Sequence, residues 1–379
     1  MRTKLQADHA RFGRELPRDW ADHVRADYGV DLRARYLGES IAHPIGKASG
    51  QLSLKVEQLE ADARAGLAFI VLKTVIGENA AGERAMAAWA IHESRMTVER
   101  LATADGREGW TVTWKGRGWD RSLDEYLTLV RAGRELSRAG GPLVVPSAKL
   151  HLPAMDEPFR ADEYRHTIGK LADAWGAGPL LLEKDFSPTL AGDPLADERE
   201  RILRWLREVP AAVRTAAGAG GVRLCLKLMN ARFGDDFQLA MLDASAGADA
   251  VTAFNRLWDP DRRVAFGGWD LSDRNLRVLE RARGTVRPPL SGTGNVCSGR
   301  MIAEYARRGC TSVQLHTFFQ LPLSAYPGQA GSRTERALHA LVFDPADGLV
   351  AAMLDLEDEG VLHRRGGELR YLDLCEQAA

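Results

Sequence analysis

Eight short apolar runs, each closed by a small or polar residue, recur along the chain at 43–49, 68–74, 142–147, 179–184, 222–227, 249–255, 289–293 and 311–317. Helix-period segments separate them, such as Tyr164, Ile168, Leu171 and Trp175, or Ile202, Trp205, Leu206 and Val209, with charges on the other faces. Continuous apolar strands need cover on both sides, so the βαβα order predicts a parallel sheet clad by helices. Eight units in 379 residues close the count for an α/β fold of the (β/α)8 TIM-barrel type, and no tandem half-repeat favours an open doubly wound sheet.

The link between the second and third strands is long, from 75 to 122, and its alternating Trp110, Val112 and Trp114 predict a small hairpin. In a barrel this insertion leaves the C-terminal rim and is expected to cover part of the active site. Residues 333–359 have the apolar spacing of a helix or helix pair. The first 20 residues mix charges with isolated Leu5, Phe12 and Leu16, which reads as a surface helix. The expected organisation is an N-terminal helical extension, 1–30, followed by one barrel domain, 31–379.

Charge and cysteine usage narrow the function. Fifty-one basic against 52 acidic side chains give no overall attraction to nucleic acid or to a membrane surface. Cys225, Cys297, Cys310 and Cys375 form no CxxC and no metal-ligand spacing, so no metal site, iron–sulfur cluster or disulfide framework is expected. With no run long enough to span a bilayer, the expectation is a cytoplasmic protein.

Barrel enzymes place reactive groups at the C-terminal strand ends. Here these are Ala48-Ser49-Gly50, Lys73-Thr74, Ser147, Asp185-Phe186-Ser187-Pro188, Lys227, Asn255, Gly292-Thr293-Gly294-Asn295 and His316-Thr317. A lysine ending an apolar strand must snorkel to water or meet an anion, and Lys73 with Lys227 suggest a paired cationic site for an anionic ligand. The run Ser291 to Asn295, with Ser298-Gly299 ahead of the next helix, offers main-chain N–H groups that suit a phosphate, and Gly267-Gly268 could add more. The recurring phosphate site of barrels is built from these same loops after strands seven and eight.

Several stretches together resemble the dihydroorotate dehydrogenase family of FMN-binding barrels. They are Asp31-Leu32, Tyr36-Leu37-Gly38, Pro44-Ile45, Ala48-Ser49-Gly50 and Phe69 through Thr74, then Leu226-Lys227-Leu228, Gly247-Ala248-Asp249, Ala253-Phe254-Asn255, Gly267-Gly268, Gly292-Thr293-Gly294, Ser298-Gly299 and Val313 through Thr317. The resemblance covers roughly 31–320 in the family's order and spacing. It implies an FMN cofactor, with Ala48 and Ser49 facing the flavin ring and Lys73 and Lys227 near its pyrimidine edge, where reduction places negative charge. It further implies phosphate contacts from Gly268, Gly294, Asn295, His316 and Thr317, and a substrate contact from Asn255; Ser147, Gly292 and Thr293 are expected among the remaining cofactor contacts.

Two segments depart from the family pattern. After strand four the family carries an Asn-x-Ser-Cys-Pro-Asn or Asn-x-Ser-Ser-Pro-Asn loop whose Cys or Ser is the base. This chain has the shorter Asp185-Phe186-Ser187-Pro188-Thr189. Ser187 is the hydroxyl that would fill the base position, and Asp185 stands where an amide is expected. Either could move the proton, although Asp185 also reads as a rim carboxylate paired with Lys184 or another cation. In the insertion, Trp114 and Lys115 replace a small substrate-reading amide. Trp114 with Trp119 could wall a larger ligand or pin the loop. Losing amides that pair with a pyrimidine costs about 1–3 kcal/mol each, which disfavours dihydroorotate. His151, alone after strand three, reads as structural, and Cys225 as core.

The sequence thus points to an FMN-dependent oxidoreductase that moves hydride between flavin N5 and a small polar molecule, with an unidentified electron partner and room for a homodimer. Two alternatives stand beside it. One is a non-redox lyase or aldolase using a strand-end lysine on a phosphorylated substrate. The other is an FMN-binding subunit without turnover.

Overall fold

The computed structural model describes residues 1–87, 96–102, 108–114, 118–186, 199–259, 264–266 and 269–376, with the backbone alone for 96–102, 108–114, 258–259, 264–266 and 269–270. The barrel strands are β1 (Ile45–Lys47), β2 (Phe69–Val71, resuming at Val75–Ile76), β3 (Leu143–Val145, resuming at Ser147–Lys149), β4 (Leu180–Asp185), β5 (Val222–Met229), β6 (Ala250–Asn255), β7 (Leu290–Thr293) and β8 (Cys310–Leu315). Each pairs in parallel with the next, and β8 returns to β1 through Val313↔Ile45 and Leu315↔Lys47. The break in β3 falls at Pro146, which has no N–H to donate. Both halves still pair with β2, at Val71↔Val145 and Val75↔Ala148, so the ring closes.

Twelve helices accompany the strands among the described residues: α1 (Arg2–Phe12), α2 (Trp20–Tyr28), α3 (Val56–Arg64), α4 (Leu123–Arg138), α5 (Ala161–Trp175), α6 (Arg199–Ala217), α7 (Asp235–Ala244), α8 (Trp269–Ala282), α9 (Gly299–Ala306), α10 (Arg333–Phe343), α11 (Leu349–Asp358) and α12 (Tyr371–Glu376). The residues that set the helical period in the sequence, Ile168, Leu171, Trp175, Ile202, Trp205, Leu206 and Val209, are buried. Residues 333–359 form the pair α10 and α11. The N-terminal α1 lies against α10, burying Leu5 and Phe12.

A short hairpin, Ala34–Tyr36 with Glu39–Ile41, sits at the N-terminal end of the barrel. Arg223 at the start of β5 pairs with Glu39 at 2.5 Å, and Thr311 at the start of β8 donates to the Arg35 carbonyl. From there the Tyr36 ring enters the barrel and stacks on Phe69 at 4.3 Å. Gly46 makes room for that stack, because a Cβ there would lie 2.2 Å from the Phe69 ring. The opposite, C-terminal end carries the insertion. Its expected hairpin is present as Met96–Ala102 against Glu108–Trp114, and its second strand approaches Val264–Phe266, part of a small hairpin that follows β6.

One buried ion pair ties the barrel to its helices. Lys47 of β1 points outward, with Nζ 2.5 Å from Asp62 of α3 and 3.2 Å from Thr334 of α10, and Thr334 donates to the same carboxylate. Lys47 and Asp62 are each at most 3% exposed. Asp62→Ala should therefore cost ~3–5 kcal/mol in urea unfolding by stranding the ammonium, and Lys47→Met with Asp62→Leu should recover most of that.

Candidate active site

Side chains alternate along a strand, so residues two apart share a face. On β4 this aligns Glu183 and Asp185, on β3 Ser147 and Lys149, and on β5 Cys225 and Lys227. These inward positions bring charge together at the C-terminal mouth. Lys149 Nζ lies 3.5 Å from the Asp185 carboxylate, and Lys227 Nζ lies 3.4 Å from Glu183 Oε1. Lys73, which follows the first half of β2, is buried beside them. Burial foremost pulls its ammonium down to about 7, with Asp185 opposing that shift and Arg256 and Lys149 adding to it. Arg256, just past β6, is brought to about 10 by burial, again against the pull of Asp185.

His316 reports how closely these charges converge. Its imidazole is held well below its usual range, first by burial and then by Arg256, Lys73, Lys227 and Lys47. The ring rests on Gly50, where a Cβ would come within 1.9 Å of Nε2. Next to it a chain of hydroxyls joins three strand ends, Ser49 to Thr74 at 2.8 Å and Thr74 to Ser147 at 3.0 Å. Ala48 is buried alongside, its N–H bonded to the Leu315 carbonyl.

After β7 the chain makes a left-handed turn, with φ of +99° at Gly294 and +50° at Asn295. A Cβ at Gly294 would meet Asn275 Nδ2 at 2.4 Å and the Phe254 carbonyl at 2.6 Å, so only glycine fits. Asn275 braces the turn from α8 by donating to the Phe254 and Thr293 carbonyls, each at 2.9 Å. Asn295 Nδ2 reaches Ser272, and Thr293 Oγ1 donates to the Gln314 carbonyl. Thr317 begins the short 3-10 turn Phe318–Gln320. Asn255 is fixed through its carbonyl, which accepts from Asn230 N and Nδ2 at 3.1 and 2.6 Å.

Several sequence expectations need correction. The start of α9 is not an open anion nest, because Ser298 Oγ takes the Met301 N–H, the Arg300 N–H bonds the Asp347 carbonyl, and Gly299 packs against Gly348 and Leu349. Gly292 faces outward onto the Tyr305 ring, so its smallness serves packing of α9 on β7. Asp185 pairs with Lys149, the other cation that its reading as a paired carboxylate left open, while strand alternation turns Lys184 to the opposite face over the Phe186 ring. His151 is not alone, since it pairs with Glu157 at 3.2 Å. Trp119 is buried and bonded to the Ser122 carbonyl, pinning the end of the insertion. Ser187, Lys115 and Gly268 lie outside the described residues, and Trp114 is described by its backbone only.

Sequence reasoning missed Lys149, Glu183 and Arg256. Ending strand three at Ser147 concealed Lys149, although β3 resumes after Pro146 and carries it to the same face two residues on. Glu183 stands two residues before Asp185, and the same alternation would have found it.

The donor set suits an anion. Among the described residues, Lys73, Lys149, Lys227 and Arg256 gather with Glu183, Asp185 and Asp120 at the barrel mouth, where a phosphorylated ligand could be held. The fold and this charge pattern define a (β/α)8 barrel with an anion-receptive mouth. Among solved structures, the chain is similar to a dihydroorotate dehydrogenase (DHODH) of Eimeria tenella solved in complex with ferulenol, at a TM-score of 0.60 and 13% identity over 92% of each chain. At that identity the likeness is one of fold. No family model matches the chain, and no curated protein matches it in sequence.

The lowered ammonium of Lys73 has a consequence for stability. Above about pH 7 the folded chain has shed this proton while the unfolded chain keeps it up to its ordinary 10.5, so folding stability rises with pH across that window. Lys184, brought to about 7 by burial first, adds a parallel share. Lys73→Met should flatten the pH dependence of denaturant midpoints between 7 and 10.5 and leave the Lys184 share intact. An unchanged slope would show that Lys73 keeps its proton.

Proposed function

We propose that this chain is an FMN-dependent oxidoreductase acting on a CH–CH bond of a small polar substrate other than dihydroorotate. The observation that carries the reading is the convergence of Lys73, Lys227 and Arg256 on His316, beside the glycine turn at Gly294. The likeness of fold to a DHODH and the ordered strand-end motifs support it. When bound, FMN supplies a hydride acceptor at N5.

The chain's own residues would do the rest. Gly294, Asn295, His316 and Thr317, with Gly268, are proposed to hold the phosphate, and Ala48, Ser49 and Ser147 to bound the ring. Lys227, and Lys73 while it is protonated, would place positive charge where reduction builds negative charge. Asn255, with Trp114 and Lys115 of the insertion, would orient substrate. Asp185, charge-paired with Lys149, would take the substrate proton, with Ser187 as the other candidate. No disulfide ties up the four cysteines, and no described helix is long and apolar enough to cross a membrane. Electrons would leave through the same mouth to a small or protein acceptor.

One observation favours a second reading. A buried lysine at about 7 is partly a free amine at neutral pH, which is what Schiff-base chemistry requires of Lys73 in a lyase or aldolase. Borohydride trapping of a phosphorylated carbonyl compound on Lys73 would favour that reading. The oxidoreductase reading expects a yellow protein with an absorption band near 450 nm that releases FMN on boiling. It also expects no rapid bleaching by dihydroorotate in the presence of an artificial acceptor. For any acid that does bleach the flavin, Asp185→Asn should slow bleaching by ~10²–10⁴-fold and leave dithionite reduction unchanged. A colourless protein that takes up no FMN would contradict the proposal.

A further inference from the structure

The barrel interior below the mouth is polar where hydrocarbon is usual. Glu183 is fully buried on β4. Oε2 accepts from Gln314 Nε2 at 2.6 Å and from the Tyr36 hydroxyl at 3.1 Å, while Oε1 faces Lys227 Nζ at 3.4 Å. Gln314 is itself braced by Tyr36 and Thr252. Tyr36 arrives from the hairpin at the far end of the barrel, so the carboxylate is fixed from three directions: β8, the hairpin and β5.

Tyr36 is held well above its ordinary range and Cys225 is pushed up to about 12, each by burial first and by Glu183 next. An isolated ammonium that is 3% exposed, as Lys227 is, would shed its proton rather than remain charged. Lys227 shares its surroundings with Lys73 and Arg256, since all three act on His316 just past β8, whose imidazole is held well below its usual range by burial first. Asp185 at the mouth is drawn to Lys149, which leaves Glu183 as the carboxylate that meets Lys227.

We propose that Glu183 is a positioning residue that fixes Lys227 as an ammonium of constant charge across neutral pH, at the place where the bound ring accumulates negative charge. Lys73 would then be the strand-end lysine whose charge follows pH. The cofactor half of this inference rests on the FMN reading, and the charge half does not.

The test uses the full chain labelled with ¹⁵N-lysine, its Lys227 Nζ resonance assigned by loss in Lys227→Met. Lys227 should be an ammonium at pH 6 and pH 8.5 in the wild type and an amine at pH 8.5 in Glu183→Gln. Amine in the wild type at pH 8.5, or ammonium in both proteins, overturns the proposal. If Glu183→Gln does not fold, Glu183→Asp replaces it. Withdrawing the carboxylate by one methylene should make Lys227 lose its proton at lower pH than in the wild type, and an identical titration overturns the proposal.

With FMN loaded, Glu183→Gln at pH 8.5 should match Lys227→Met, each losing at least tenfold in preference for reduced over oxidised flavin, about 30 mV for a two-electron couple. At pH 6 the preference should return in Glu183→Gln and not in Lys227→Met. An equal deficit at both pH values would mark Glu183 as merely structural. Failure to take up FMN would sink the cofactor reading and leave the nitrogen resonance to decide the role of Glu183.

Discussion

Placing ammonium and guanidinium groups inside a barrel is costly unless each meets an opposite charge, and the rest of this structure is arranged around that constraint. Three buried lysines meet it in three ways. Lys47 turns outward to Asp62 and binds the barrel to its helices. Lys227 turns inward to Glu183, and Lys149 stands against Asp185. Lys73 faces Asp185 and Asp120, and burial still loosens its proton to about 7. This gathering of cations at the mouth is what the proposed anionic ligand would meet.

The two ends of the barrel are therefore chemically unlike. At the N-terminal end a hairpin inserts Tyr36 against Phe69 and seals the interior, with Gly46 clearing the space. At the C-terminal end the strands close on serine, threonine, lysine and histidine, and the glycine turn after β7 bends tightly over Asn275. Glu183 links the two, touching Tyr36 on one side and Lys227 on the other. The polar interior thus connects the plug to the mouth, so packing at one end and charge at the other share a single carboxylate.

Much of this was legible in the sequence. The eight apolar runs coincide with the eight strands because a doubly covered parallel strand has to be apolar throughout, and Trp110, Val112 and Trp114 announced the inserted hairpin by strict alternation. Lys73 and Lys227 stood out because lysine rarely ends such a run. Glu183 and Lys149 did not, because a charge inside an apparent strand looks like its boundary until the partner strand's register is known. Pro146 added to this by seeming to end β3 when it only interrupts it. The start of α9 misled in the opposite direction. Its Ser-Gly pair looked like a ligand nest, yet Ser298 itself takes the Met301 N–H and the turn before α11 takes the Arg300 N–H, the second a contact between elements far apart in the chain.

On the proposed reading, the mouth grips a ligand through its negative charge rather than through its rings alone. The most direct measurement compares FMN with riboflavin, which carries the same ring without the phosphate, by fluorescence titration of the ligand-free chain at fixed ionic strength near neutral pH. FMN should bind tightly and riboflavin more weakly by at least a hundredfold, with the FMN affinity falling as salt is raised. Equal affinities for the two, or an FMN affinity indifferent to salt, would contradict it.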